Sequence, residues 1–397
     1  MTTLSLPDDL PQWTRAHRRH LHAIPELGGE ERLTATYLAE QLDALGMPPH
    51  RGIGGHGLVA TVEGALPGPT LAYRADIDAL PINEANAVPY CSQHPGRMHA
   101  CGHDVHATIA LALARVAKIN AAHWPGKLRI VFQPNEEGAP QAGPSGAQAM
   151  LSDGLLHRFP FDAIFALHCM PDLDVGTIGY CHGGAWASSD HFRVEVRGTS
   201  CHGAYPHTGS DPIAAAATMI PAIYTALSRR LDARHPHVAS VCRFSAGNTY
   251  NVIPESAEFQ GIWRALDPET AHSGQEIIRA TVASVAQTFG LLAETHFHRG
   301  ADVTTNDPTL LASALPILQR LLGQDLRLHP PQMGAEDFSA FSARVPALYL
   351  YLGVRNPALG ITHPLHSPHF DVDEAAMPLA VHTMAHLLFA LAQSGQP

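Results

Sequence analysis

The feature that most constrains this chain is an alternation of apolar runs with helical segments, broken once by a stretch of different pattern. LVATVEG (58–64), TLAYRAD (70–76), KLRIVFQP (127–134) and AIFALH (163–168) read as strands. A helix-like segment, 106–120, separates the second from the third. Strands that are nearly continuous apolar runs, alternating with helices, predict a mostly parallel sheet covered on both faces. Upstream, residues 11–45 keep helical spacing through Trp13, His17 and Leu21 and then Leu33, Tyr37, Leu38 and Leu42, with Gly46 as a stop signal.

After Gly184 the pattern changes. HFRVEVRG (191–198) alternates like a half-buried strand, and an Ala-rich helix follows over 211–230. VASVCRFSAG, AEFQGIWRAL, a helix near 268–289 and LLAETHFHRG complete the order β-α-β-β-α-β, which is that of a ferredoxin-like sandwich. Beyond Asn306 the first pattern returns, with a helix to Leu322, the strand PALYLYLG and a last helix over 374–393. The expected class is therefore α/β: a discontinuous domain of residues 1–186 and 299–397, with an α+β domain inserted at 187–298.

Length and charge set outer limits. At roughly 100–200 residues per domain, 397 residues make two domains or three. A formal net charge of −11 repels phosphate backbones and argues against nucleic acid. The N-terminus lacks a basic and apolar leader pattern, and runs such as IALALARVA are too short for a bilayer, which needs about 20 residues. The six cysteines form no C-x-x-C pair, so they read as reduced thiols, and a cytoplasmic location is expected.

Four segments carry chemistry. MHACGHDVH (98–106) packs Cys101, His103, Asp104 and His106 into a loop and helix start, and these are ligand types for a borderline-soft dication. QPNEEG (133–138) puts Glu136 and Glu137 after a buried strand, where open α/β sheets build their sites. ALHCMP (166–171) offers His168, and HPLHSPHF (363–370) offers His366. Taken singly, each is as readily structural, since a lone Glu pair is usually a solvated turn and a lone His usually a packed side chain. Together they supply the inventory of a dinuclear site: several donors, a carboxylate and an open position for water.

In order along nearly the whole chain, these segments and several others resemble the dimetal amidohydrolases and carboxypeptidases that include hippurate hydrolase, N-acyl amino acid amidohydrolases and auxin-conjugate hydrolases. The matching stretches are RRHLHAIPELGGEE (18–31), RADIDALPI (74–82), MHACGHDVH, FQPNEEG, HGAYPHTGSDPIAAA (202–216), NVIP (251–254), MGAEDFS (333–339) and LHSPHFD (365–371). The resemblance implies metal ligands Cys101, His103, Glu137, His168 and His366, two divalent ions (Zn, Mn, Co or Ni), and Glu136 as general base. Asp76 stands where related peptidases have a histidine ligand, and Asp78 matches an acidic position behind the ligands. His202, Asn251 and Arg264 match substrate-binding positions, Arg264 suiting a carboxylate by its planar fork. The inserted domain is expected to act as a lid and to pair two chains into a homodimer.

Three positions depart from the family pattern: Asn135, Cys201 and Trp263. None removes a ligand, and Trp263, beside Arg264, is expected to bear on substrate preference. The implied reaction is hydrolysis of an N-acyl amino acid or related small amide. Three other readings stay open: a thiol mechanism with Cys101 as nucleophile, a metal-holding protein without turnover, and a dipeptidase or carboxypeptidase on the same scaffold.

Overall fold

A computed structural model of the protein describes residues 4–138 and 143–395. It separates into two compact units, one running to Gly183 and taking in Thr305–Pro330 and the chain from Ala340, the other comprising Gly184–Thr304 and Pro331–Ser339.

The first unit is built on an eight-stranded sheet. At its centre Pro125–Gln133, Leu66–Asp76, Ala163–Asp174 and Ala347–Arg355 lie side by side and parallel. Antiparallel strands Gly57–Glu63 and His50–Ile53 extend one edge, and Ile178–Tyr180 and Leu326–Leu328 extend the other. The central strands are buried on both faces, as their continuous Val, Ile, Leu and Phe content requires. The register places Asp76 opposite Gln133, and His168 opposite Tyr351. Chemistry-bearing residues therefore gather toward the carboxyl ends of parallel strands, where such sheets place their sites.

The helix His103–Ile119 packs on these strands and is buried almost all round. It begins three residues earlier than the apolar periodicity predicts, because Gly102 at φ 91° turns the loop into it. A Cβ on Gly102 would lie 2.9 Å from Cys169 Cβ and Sγ, so only glycine fits.

Two expectations need correction here. The N-terminal segment is two helices, Leu10–Ala23 and Arg32–Ala44, not one. Pro25 biases Ile24 away from helix and Gly29 takes φ 82°, so the chain breaks between the two sets of helically spaced apolar residues. Nor are all apolar runs as short as IALALARVA. Ala376–Ser394 has no Asp, Glu, Lys or Arg and is long and apolar enough to cross a bilayer by length and composition. Its apolar window is 67% buried, with Met377, Val381, Met384 and Leu388 in the core.

The second unit is a four-stranded antiparallel sheet in the order His237–Ala246, Ser256–Ala265, Ser189–Arg197, Leu292–Ala301, with helices Pro212–Arg230 and Pro268–Thr288. Numbering its strands along the chain gives 2-3-1-4, the ferredoxin-like arrangement. Asp211 and Asp267 cap the two helices, each followed by proline at the first helical position. Strand alternation sends Trp263 inward, fully buried, with its Nε1 donating to Ala271 O at 2.9 Å. Neighbours on a strand face opposite sides, and this indole belongs to the core of the second unit.

Candidate active site

The loop before the central helix, the loop after Pro125–Gln133, the strand Ala163–Asp174 and the turn at His366 bring their side chains to one place. The donor atoms of Cys101, His103 and His168 lie within 4.8 Å of one another, as do those of Cys101, Glu137 and His366, and those of His103, Glu136 and Glu137. Cys101 Sγ is 3.5 Å from His168 Nε2, and His366 Nε2 is 3.3 Å from Glu137 Oε1. Cys101, His103 and His168 are buried, whereas the His366 side chain is half exposed.

Each imidazole is turned by what its other nitrogen does. His103 Nδ1 donates to Asp78 O at 2.9 Å and Oδ1 at 3.2 Å, and His168 Nδ1 donates to Cys169 O at 2.8 Å. Both rings in their neutral form thus present an Nε2 lone pair to the cluster, the arrangement that tunes metal-binding histidines. Asp78 does more, because its Oδ2 accepts the backbone N–H of Glu137 at 2.9 Å. One carboxylate therefore orients both His103 and the loop that carries Glu137.

His106 and Asp104, conspicuous in the motif, have other employment. His106 Nδ1 donates to Asp76 Oδ1 at 2.6 Å while Nε2 accepts the Cys169 N–H at 2.9 Å, which leaves no lone pair for an ion. Asp104 accepts from Arg18 Nε at 2.8 Å and pairs with His22 Nδ1 at 2.7 Å, tying the central helix to the first one. Asp76 also accepts from Arg74 at 2.8 Å.

The electrostatics favour a cation. Burial disfavours a charged His103, yet Asp76, Asp78 and Glu137 outweigh it and raise its pKa to about 10. Burial pushes the Cys101 thiol well up, and Glu137, Glu136 and Asp76 push it further. Burial and the neighbouring His106 hold His168 well below the usual imidazole range. Among the described residues, His103 Nε2 is buried with no hydrogen-bond partner, and buried Glu137 Oε1 meets His366 Nε2 at 3.3 Å. Thiol, imidazole and carboxylate donors with surplus negative charge and an orphaned nitrogen fit a divalent metal.

The other three residues lie in the second unit. A short ribbon pairs Cys201–His202 with Val252–Ile253, which brings His202 beside Asn251, with Gly203 N donating to Asn251 O at 2.8 Å. His202 Nδ1 accepts the Ala204 N–H at 3.1 Å and Asn251 Oδ1 accepts from Thr249 Oγ1 at 3.1 Å. Arg264 is half-buried opposite Val238, and burial lowers its pKa. Sequence reasoning passed over Glu31, which is fully buried. The cue was present in PELGGEE, where two adjacent glycines and three glutamates stand between two helical segments.

These features define a class: a two-unit α/β protein with metal-type donors at the carboxyl ends of parallel strands and a ferredoxin-like insert. The chain belongs to Peptidase family M20/M25/M40, which matches residues 72–390. It is 37% identical to a "Probable hydrolase" of Synechocystis, over 93% of each chain. It is 34% identical to thermostable carboxypeptidase 2 of Saccharolobus solfataricus, over 96% of each chain. It is also 34% identical to the N-acetyl-L-cysteine deacetylase of Bacillus subtilis, over 91% of this chain and 83% of the relative. Among solved structures, a dinuclear metal binding peptidase of the M20 family from Bacillus subtilis superposes with TM-score 0.86 at 31% identity, over 98% of this chain and all of that one.

Proposed function

We propose that the protein hydrolyses the amide bond of N-acyl amino acids or related small amides at a centre of two divalent ions. The supporting observation is the convergence of five donors, Cys101, His103, Glu137, His168 and His366, beside a carboxylate, Glu136, that lies within the same 4.8 Å grouping as His103 and Glu137. Cys101 belongs to both donor sets, one with His103 and His168 and one with Glu137 and His366. Bound there, two cations would polarise the scissile carbonyl and lower the pKa of a water toward neutrality. Glu136 takes the proton of the attacking water and returns it to the departing amine. His202 steadies the developing oxyanion, and Asn251 and Arg264 hold the polar end of the substrate.

A thiol mechanism fits less well, because burial and the three carboxylates of Glu137, Glu136 and Asp76 suppress the Cys101 thiolate that a nucleophile requires. A carboxypeptidase or dipeptidase reading draws on relatives such as thermostable carboxypeptidase 2. Six free cysteines suit a reducing compartment, consistent with a cytoplasmic location.

The second unit is proposed to pair two chains. Its edge strands His237–Ala246 and Leu292–Ala301 carry open ladders, and Leu292 on one of them is 77% exposed. Light scattering tests this directly, a micromolar monomer with full activity being the contrary result. The function itself is tested by screening N-acyl amino acids against dipeptides on metal-reconstituted protein. Turnover that survives exhaustive chelation overturns it.

A further inference from the structure

Glu136 sits in a turn whose backbone is held from both sides. The residue before it, Asn135, has φ 54°, and only one other described non-glycine residue, His366, has positive φ. That left-handed conformation is costly for a residue with a side chain, and asparagine tolerates it best. It persists only where its surroundings enforce it. On one side, Asn135 N donates to Glu31 Oε1 at 2.8 Å; on the other, Glu137 N donates to Asp78 Oδ2 at 2.9 Å. The backbone N–H groups flanking Glu136 both end on buried carboxylates.

We propose that Glu31 is a positioning residue for the general base: its carboxylate fixes the left-handed turn at Asn135 and so sets the direction in which Glu136 and Glu137 leave the strand. This rests on the reading of Glu136 as base and Glu137 as ligand. Glu31 stands at the N-terminus of the helix Arg32–Ala44, so capping that helix is the obvious alternative task. Its side chain makes no capping bond there. The same Oε1 instead accepts from Gly29 N at 2.9 Å, which pins the Gly-Gly break against the turn. The fit is close: a Cβ on Gly28 would fall 2.4 Å from Asn135 Oδ1. Gly146 N, donating to Asn135 O at 2.9 Å, closes the far side of the turn. The helix break thus serves to bring one acceptor oxygen to the loop that bears the base.

The role depends on an acceptor oxygen rather than on charge, and that separates it from electrostatic tuning. An amide at position 31 can keep its oxygen toward Asn135 and Gly29, whereas alanine cannot. Misplacing a reacting group by about 1 Å costs on the order of 10²-fold in rate. The test compares Glu31→Ala, Glu31→Gln and Glu136→Gln in the full metal-reconstituted chain, with kcat expressed per metal-loaded site and KM measured separately on an N-acyl amino acid. Glu31→Ala is expected to lower kcat by roughly 10–100-fold with KM within about twofold, and Glu31→Gln to restore most of it. Wild-type kcat in Glu31→Ala overturns the proposal, as does a Glu31→Gln variant as impaired as alanine. If Glu31→Ala fails to fold, Asn135→Val with Glu31 intact decides, because a β-branched residue resists φ 54°. It should lose rate while Asn135→Gly keeps it, and equal rates in the two overturn the proposal. An active Glu136→Gln would instead remove the reading on which the inference stands, so the two failures are distinguishable.

Discussion

Asp78→Asn is the most informative single substitution, because one fully buried carboxylate serves two candidate ligands. Its Oδ1 accepts from His103 Nδ1 at 3.2 Å and its Oδ2 accepts from Glu137 N at 2.9 Å. Asparagine keeps the shape but has one acceptor oxygen and one donating amide. Turned toward Glu137 N, its oxygen leaves two donors facing each other at His103; turned the other way, it strands the Glu137 N–H. His103 retains its 2.9 Å bond to the Asp78 carbonyl, so the ring stays in place and the loss is confined to one contact. A buried donor left without an acceptor costs about 1–3 kcal/mol, which corresponds to roughly 10–100-fold in metal affinity, the range usual for groups behind a metal ligand. Competition against a chelator of known affinity reads this directly, with circular dichroism as the folding control. A folded Asp78→Asn protein that binds metal as tightly as wild type refutes the reasoning.

Further outcomes follow from other parts of the molecule. Glu136→Gln should retain metal and lose about 10²–10⁴-fold in kcat, and full turnover at full occupancy counts against its role as base. If chains pair and share His202, mixing His202→Ala with Glu136→Gln chains should restore part of the activity, while a His202 acting within its own chain restores none. Gly274→Ala should lower the melting temperature by several degrees, since its Cβ would fall 2.0 Å from Trp263 Cζ2 and overpacking costs about 1–3 kcal/mol, more than alanine's helix preference returns; an unchanged melting curve would contradict the tight packing. Burial, with His20 and Arg115, lowers the pKa of His17 to about 4, so the unfolded chain binds the extra proton and stability falls as pH drops from about 6.5 to 4. Acid unfolding of His17→Gln should show a smaller loss across that window.

The fold class was legible because its signals are periodic. Apolar strand runs and the β-α-β-β-α-β order survive in one dimension, and the parallel centre and the 2-3-1-4 sheet follow from them. The helix break at 24–31 is marked by local residues rather than by period: Pro25 and the Gly28–Gly29 pair stand between two apolar sets, and Leu33 lies out of phase with Leu21. Donor types were also legible, because Cys101, Glu137 and His366 stand in loops and His103 opens a helix, although His168, read as a strand end, lies mid-strand in Ala163–Asp174. Their partners were not. That His106 is spent between Asp76 and the Cys169 N–H, or that Asp78 serves two masters, depends on distances between segments far apart in sequence. Trp263 shows the limit in another way: its place beside Arg264 in sequence says nothing of its burial, which the strand's pleat decides.

Glu137 and His366 approach to 3.3 Å from opposite sides of the inserted segment. In polymer terms, an ion held by both is a cross-link closing a very long loop, and the entropy such a closure removes from the unfolded chain grows slowly with loop length. Occupancy would then govern lifetime as well as rate, because metal affinity adds to folding free energy wherever the unfolded chain cannot bind. Stripped protein would open first at the turn that holds His366, a half-exposed residue already at φ 64°. The loss of one ion would be felt as susceptibility to proteases there before it is felt anywhere in the sheet.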